Sequence, residues 1–306
     1  MRNDEQQPLP RKKGRPRGIH FEPLKVKQPA ELMSFLIESL PNKNRNNIKT
    51  LLTNKQVYVN NENISQYNHP LNPGDVVTIS TYKKPKETGY PGMNIVFEDE
   101  HLIVVEKHSG MLSVSADGKR QMTIFSLLSS HVKKQKPSNK IFVVHRLDRE
   151  TSGMMVFAKS EKIKKQLQEN WKQTVVERTY LAIVEGVPEK NEGVISSYLK
   201  ENENMKVYSS SNPDGGQFAI THYKVLKSKN NMSLVKVNLE TGRKNQIRVH
   251  MQDIGHPIVG DHKYGAETNP IQRLGLHALV LTFIHPVTQK EMRFESKMPR
   301  KFAYLF

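Results

Sequence analysis

The chain has 306 residues, with 47 lysines and arginines against 30 aspartates and glutamates and no cysteine, so its formal charge is +17 and its isoelectric point is near 9.8. That length accommodates about two domains, and 36% hydrophobic with 25% charged residues describes a folded chain, neither disordered nor fibrous. The lack of cysteine excludes a disulfide scaffold, a thiolate zinc site, an iron–sulfur cluster and a cysteine nucleophile, and it fits a reducing, cytoplasmic setting. No signal-type apolar run opens the sequence. The most apolar later run, Leu274 to Ile284, carries His277 and Thr282 and falls short of the ~20 residues a spanning helix needs, so a protein outside the membrane is expected. The excess of cations points to a polyanionic partner, nucleic acid above all; a surface kept basic for solubility is the plain alternative.

Residues 1–27 hold eight basic and three acidic residues without apolar periodicity, which reads as a flexible basic arm. Gly14-Arg15-Pro16 among its cations looks like a hook for a DNA minor groove, although an electrostatic tether for any polyphosphate explains it as well. From Ala30 the pattern turns helical, with Leu32, Phe35, Leu36 and Leu40 on one face and a stop before Pro41. A second helix places Ile48, Leu51 and Leu52 inward and leaves Arg45, Lys49 and Lys55 outward. Val57, Val59 and Ile64 alternate as short strands. Leu71-Asn72-Pro73-Gly74-Asp75 then turns the chain into the strand Val76 to Ile79.

These residues, Asn44 to Leu52 with Val57-Tyr58-Val59-Asn60 and Leu71 to Val77, resemble an S4-type RNA-binding domain spanning 28–82, and Arg45 and Lys49 on its basic helix face would contact RNA. Lys55 and Asn61 stand where that family carries glycine, and of the two only Asn61 tolerates a left-handed backbone. An unrelated small α+β unit is the alternative. A Lys-, Pro- and Gly-rich stretch, 83–93, reads as a linker.

The remainder, 94–306, offers strand candidates at Ile95–Glu98, Leu102–Glu106, Ile141–Val144, Met154–Ala158, Tyr180–Glu185, Leu234–Leu239 and Ala278–Ile284. Helix candidates are Thr123–Lys133, Glu161–Trp171 with Ser160 as N-cap, and Lys244–Ile254 closed by Gly255. Strands outnumber helices and many are close neighbours in sequence, so the expected fold class is α+β around a mixed, largely antiparallel sheet.

No phosphate-cradling glycine loop, dinucleotide fingerprint, zinc-protease helix or nucleophile elbow is present. His250, His256 and His262 recur at a spacing that suits no metal. The stretch Val143 to Ala158 instead reads as strand, polar loop, glycine, strand, a geometry that displays its loop at the edge of a sheet. On that loop Asp148 lies between Arg146 and Arg149, whose charge should keep it ionised and suited to act as a nucleophile or base. On spacing alone a surface salt bridge would serve equally. Asp148 and Glu150 could share a face as a glycosidase-like pair, but Thr151-Ser152-Gly153 implies a turn that would separate them.

Leu239 to Met251 reads as a strand, a Thr-Gly turn and a helix with Ile247, Met251 and Ile254 inward and Lys244, Arg248, Asn245 and Gln246 on other faces. Cations in a first helical turn oppose the macrodipole, a local conflict of the kind that marks pairing with a carboxylate or a phosphate. Tyr180 opens a strand and, on pattern alone, is a packing aromatic.

Together these blocks resemble the RluA-type pseudouridine synthases. The likeness rests on His145-Arg146-Leu147-Asp148 with Thr151-Ser152-Gly153; on Arg178-Thr179-Tyr180-Leu181-Ala182; on Gly242-Arg243 with Gln246 to Met251 and Gly255 to Asp261; and on Leu276-His277-Ala278 with His285-Pro286. It covers about residues 95–300, and Asn245 departs from it, standing where that family usually carries His. The resemblance implies isomerisation of uridine in RNA to pseudouridine: the N1–C1′ bond breaks, the uracil rotates, and it rejoins through C5. It implies that Asp148 attacks C1′ or takes a proton from C2′, that Tyr180 packs against the base and helps remove the C5 proton, and that Arg248 pairs with Asp148. Arg146 would fill the gap left by the flipped nucleotide, and Arg243 and Lys244 would bind RNA. It implies no metal, nucleotide or redox cofactor. It favours large-subunit ribosomal RNA over transfer RNA as partner, and nothing in it requires more than a monomer. A non-catalytic RNA-binding or ribosome-assembly protein that keeps the fold is the alternative.

Overall fold

In a computed structural model the described residues are 23–54, 56–80, 90–115 and 121–306. The hook tripeptide and most of the basic arm, Lys55 and most of the 83–93 linker lie outside them. The chain divides into two compact units, Met1–Lys86 and Glu87–Phe306.

In the smaller unit Leu32–Ser39 and Arg45–Thr53 form the two helices. Asn44 starts the second by accepting the Asn47 N–H at 2.8 Å, which satisfies one of the free donors at a helix start. Leu32, Leu36, Ile48 and Leu52 pack from the helices onto Val57, Val77 and Ile79 of a four-stranded sheet. Leu24–Lys25 belongs to that sheet, paired with Val76–Val77, and Val26 is buried. The expected arm therefore ends sooner than residue 27, because Leu24 and Val26 supply apolar contacts that the folded unit uses. Asn60 and Asn61 both take positive φ, 49° and 69°, and the Asn60 side chain ties the turn to Asp75 and Val76. Asparagine, the side chain that best tolerates this backbone, does here what a glycine would. Arg45 and Lys49 are exposed on the second helix.

The larger unit is built on an 11-stranded sheet. Its order runs Val207–Ser210, Glu192–Glu201, Gln217–Lys229, Met232–Leu239, Val175–Glu185, Leu276–Ile284, Ser152–Ala158, Leu102–Lys107, Met93–Glu98. Phe142–Val143 and Glu291–Glu295 add onto the central strands. Among the described strands the pairing of Ser152–Gly153 with His277–Ala278 is parallel and the rest are antiparallel. The class is α+β with a mixed, mostly antiparallel sheet, as the pattern implied.

Ser152–Ala158 is buried at every position, which accounts for its unbroken apolar run. Met155 and Phe157 face the helix Ile124–Gln135, while Met154 and Val156 face Glu161–Glu169. The strand is central, flanked by Leu276–Ile284 and Leu102–Lys107; the loop before it leaves a strand end and not a sheet edge. The helix expected to run through Trp171 stops at Glu169, and Tyr180 lies mid-strand in Val175–Glu185, beside a β-bulge at Thr179/Tyr180. Glu192–Glu201 and Gln217–Lys229 add two long strands to those expected; each is exposed or half-buried at most positions.

Candidate active site

The loop that carries Asp148 is held by its backbone. Ser113 Oγ donates to the Leu147 carbonyl at 2.6 Å, Thr151 N–H to that of Asp148 at 3.1 Å, and Gly110 N–H and Lys107 Nζ to that of Arg149 at 3.0 and 2.8 Å. Ser109 Oγ donates to Glu150 O at 2.7 Å. Four successive carbonyls therefore each have a donor. Lys107 is fully buried; burial pushes its amine down to about 8, with Glu150 and Asp148 pulling upward and Arg273 downward, so it is still a cation at neutral pH. Gly153 closes the loop at φ 119°, where a Cβ would fall 2.0 Å from the Ala278 carbonyl oxygen; the parallel strand crossing admits no side chain.

Asp148 Oδ2 meets Arg248 Nη1 at 3.3 Å. Its neighbours do not supply this partner: Arg149 donates to Gly110 O and lies 3.9 Å from Glu150, and Arg146 is exposed. Successive side chains of a turn point apart, so adjacency in sequence did not become adjacency in space. Glu150 is likewise turned to Ser109, and the Thr151–Asp148 turn keeps the two carboxylates from acting as a pair.

Arg248 is in the first turn of the helix Gln246–Asp253. Lys244 and Asn245 precede that helix rather than opening it, because Asn245 is left-handed at φ 56°. Asp261, buried, grips Arg248 through two short bonds, Nε at 2.6 Å and Nη2 at 2.8 Å. That bidentate grip compensates the cation at the helix start, so Arg248 is anchored by Asp261 and lends its remaining nitrogen to Asp148. Nη1 also donates to Asn245 Oδ1 at 3.0 Å, and the guanidinium lies 4.8 Å from the centre of the Tyr264 ring. Neither Asp261 nor Tyr264 stood out in the sequence; the one signal was the Gly260-Asp261 pair inside a longer matching block.

The turn before the helix is organised by Gln246, buried despite its expected outward placement. Its Oε1 accepts from Thr241 Oγ1 and Arg243 N–H, and its Nε2 donates to Ile220 O and Thr221 Oγ1. Arg243 donates through Nε to Phe218 O, and Lys244 bonds Glu201.

Between these walls lies a cavity of about 570 Å³, and Asp148, Arg248, Tyr180, Arg146, Arg243 and Lys244 all line it. Tyr180 is half-buried; burial above all, and Asp148 besides, pushes its phenol up to about 12 against the pull of Arg178, so it is neutral at physiological pH. At one end Arg178 donates to the Leu239 and Glu240 carbonyls, with Gly242 leaving room for the guanidinium. His145 accepts the Val156 N–H at 3.1 Å and packs on Trp171. Burial, with Arg178 nearby, lowers His145 to about 3, so it is a neutral wall residue. The Asp148–Tyr180–Arg248 group is thus brought together with Arg146, Arg243 and Lys244, whereas Arg45 and Lys49 belong to the other unit. Among the described residues no helix is long and apolar enough to cross a membrane. The cavity has the size of small-ligand sites and joins a carboxylate side chain to a half-buried guanidinium beside an aromatic ring and a basic rim.

A family model described as RNA pseudouridylate synthase matches residues 101–253. The chain belongs to that family and is an isomerase that acts on RNA. An uncharacterized RNA pseudouridine synthase of Bacillus subtilis, YhcT, is 33% identical over 257 residues, 82% of this chain and 84% of its own. The ribosomal large subunit pseudouridine synthase D of Zymomonas mobilis is 35% identical over 231 residues, 70% and 72% of the two chains. Among solved structures the human RNA pseudouridylate synthase domain containing 4 covers 69% of this chain and 90% of its own, with a TM-score of 0.57 and 28% identity. The non-catalytic alternative is set aside.

Proposed function

We propose that this enzyme converts specific uridines of large-subunit ribosomal RNA to pseudouridine in the cytoplasm, with Asp148 as the essential carboxylate. The observation that carries this reading is the Asp148–Arg248 pair inside a cavity that Tyr180 also lines. Asp148 would act at the ribose of the flipped nucleotide, attacking C1′ or deprotonating C2′. Arg248 opposes the carboxylate charge. Tyr180, as a neutral phenol, supports the base by packing and hydrogen bonding; with its proton held so firmly, it is a poor base for the C5 proton. Arg146, exposed at the cavity rim, would occupy the gap left in the RNA. Arg243 and Lys244 would meet the backbone phosphates, Lys244 exchanging its exposed Glu201 partner, a cheap exchange for a surface pair. The two-helix unit would act as an S4-like RNA-binding domain through Arg45 and Lys49, and one copy of the chain would suffice.

The test uses the full chain and unmodified large-subunit ribosomal RNA transcript, with pseudouridine mapped by carbodiimide-dependent reverse-transcription stops. New stops at discrete uridines are expected. Stops that arise only on transfer RNA transcripts would overturn the choice of substrate.

A further inference from the structure

Asn245 breaks two local rules at once. It holds φ at +56°, a backbone that costs a non-glycine residue energy. It also stands at the N-cap of Gln246–Asp253, where asparagine ordinarily accepts a backbone N–H, yet it makes no cap bond. Its side chain is turned inward instead, with the residue only 9% exposed. There Oδ1 accepts from Arg248 Nη1 at 3.0 Å and Nδ2 donates to the hydroxyl of the fully buried Tyr264, also at 3.0 Å. A conformation that forgoes a cap and takes a strained backbone is retained when the position serves something else.

What it serves follows from the geometry of Arg248. Asp261 holds the guanidinium along one edge, Nε and Nη2. Two contacts along an edge leave the planar group free to tilt about that edge. Nη1, at the opposite corner, is the nitrogen that reaches Asp148. Of its two protons Asn245 takes one, and the Tyr264 ring lies under the plane. The tilt is then fixed and the second proton is aimed at Asp148. We propose that Asn245 is a positioning residue for the reaction: its amide, braced on Tyr264, locks the guanidinium of Arg248 in the orientation that serves Asp148.

The requirement on position 245 is therefore specific: a positive φ, one acceptor for Arg248 and one donor for Tyr264. Neutral histidine is the other side chain that combines these properties, since it is enriched at positive φ and presents one donor and one acceptor. Glycine keeps the backbone and removes the amide. Aspartate keeps the shape and loses the donor.

The proposal rests on the reading of Asp148 as the working carboxylate, and two measurements keep the two apart. The first is steady-state kinetics on large-subunit ribosomal RNA transcript. Asn245→Gly, which relieves the backbone, should lose about 100-fold in kcat with KM for RNA within about threefold, the size of effect expected when a reacting group is misplaced by about an ångström. Asn245→His should recover most of that rate. Tyr264→Phe, which keeps the ring, should lose a smaller factor that does not multiply with that of Asn245→Gly. The second is nitrogen NMR of arginine-labelled protein without RNA: the Arg248 Nη1 protons should exchange slowly with water in the wild type and in Asn245→His, and fast in Asn245→Gly, while Nη2, still held by Asp261, is unchanged. A folded Asn245→Gly with wild-type kcat, a defect confined to KM, or unchanged Arg248 Nη1 exchange would overturn the proposal. Wild-type protein that forms no pseudouridine on this RNA would overturn the substrate reading, and the NMR comparison would still decide the role of Asn245.

Discussion

The two walls of the cavity are built on different principles. The Asp148 wall is held through main-chain carbonyls, four in a row, each with its own donor. The Arg248 wall is held by side chains on side chains: Asp261, Asn245 and Tyr264 around the guanidinium, with Gln246 and Thr241 behind them. A backbone-held loop shares its load, so no single side chain decides where Asp148 points. A side-chain-held cation depends on every partner, because a planar group with one contact removed has a direction in which to move.

The comparison ranks the substitutions that would break it. Arg248→Lys should be most damaging, with kcat reduced about 1000-fold. A single ammonium cannot meet both Asp261 oxygens, Asn245 and Asp148 at once, and Asp261, left short of a partner while buried, costs a further ~1–3 kcal/mol of stability; kinetics and thermal melting together check this.

Lys107→Met should fall in between, about tenfold in kcat, because Gly110 N–H still holds the Arg149 carbonyl. Its signature is in pH. The buried amine has its pKa lowered from 10.5 to about 8, so between those values the unfolded chain binds the proton and the folded one does not. Stability of the wild type should therefore rise with pH across about 8 to 10.5 relative to Lys107→Met. Parallel melting curves that show no such divergence would remove the buried cation from the account.

Ser109→Ala should matter least. It removes one exposed donor of the five that hold the four carbonyls, and activity within about threefold of wild type is expected. A loss as large as that of Arg248→Lys would erase the distinction between the walls.

The Asp148 wall was legible in the sequence for the same reason that it is robust. Loop, glycine and strand are contiguous, and the glycine is demanded by one close approach, Gly153 to Ala278. The opposing wall was legible only in part. Asp148 and Arg248 are 100 residues apart, and no periodicity joins them; the resemblance supplied that pairing. Asn245 reads as a helix residue because an inward-turned, left-handed asparagine has the same letter as a cap. Asp261 lies in a loop where no periodicity marks it, and only the matching block from Gly255 to Asp261 points to it. Arg146 and Arg149 mislead by proximity: Arg149 is turned to Gly110 and Glu150, and the partner of Asp148 comes from a distant helix. Glu192–Glu201 and Gln217–Lys229, interior strands that are exposed or half-buried at most positions, lack the unbroken apolar run that marks Ser152–Ala158.

The central claim is that a single carboxylate, presented by one wall and paired with the other, performs the reaction. Wild type and Asp148→Asn should be compared on the same large-subunit ribosomal RNA transcript, for binding and for pseudouridine in a single turnover. The account predicts binding within about threefold and a rate reduced about 10,000-fold or more, the scale on which an essential catalytic group acts. Pseudouridine formed by Asp148→Asn at a rate near that of the wild type would contradict it.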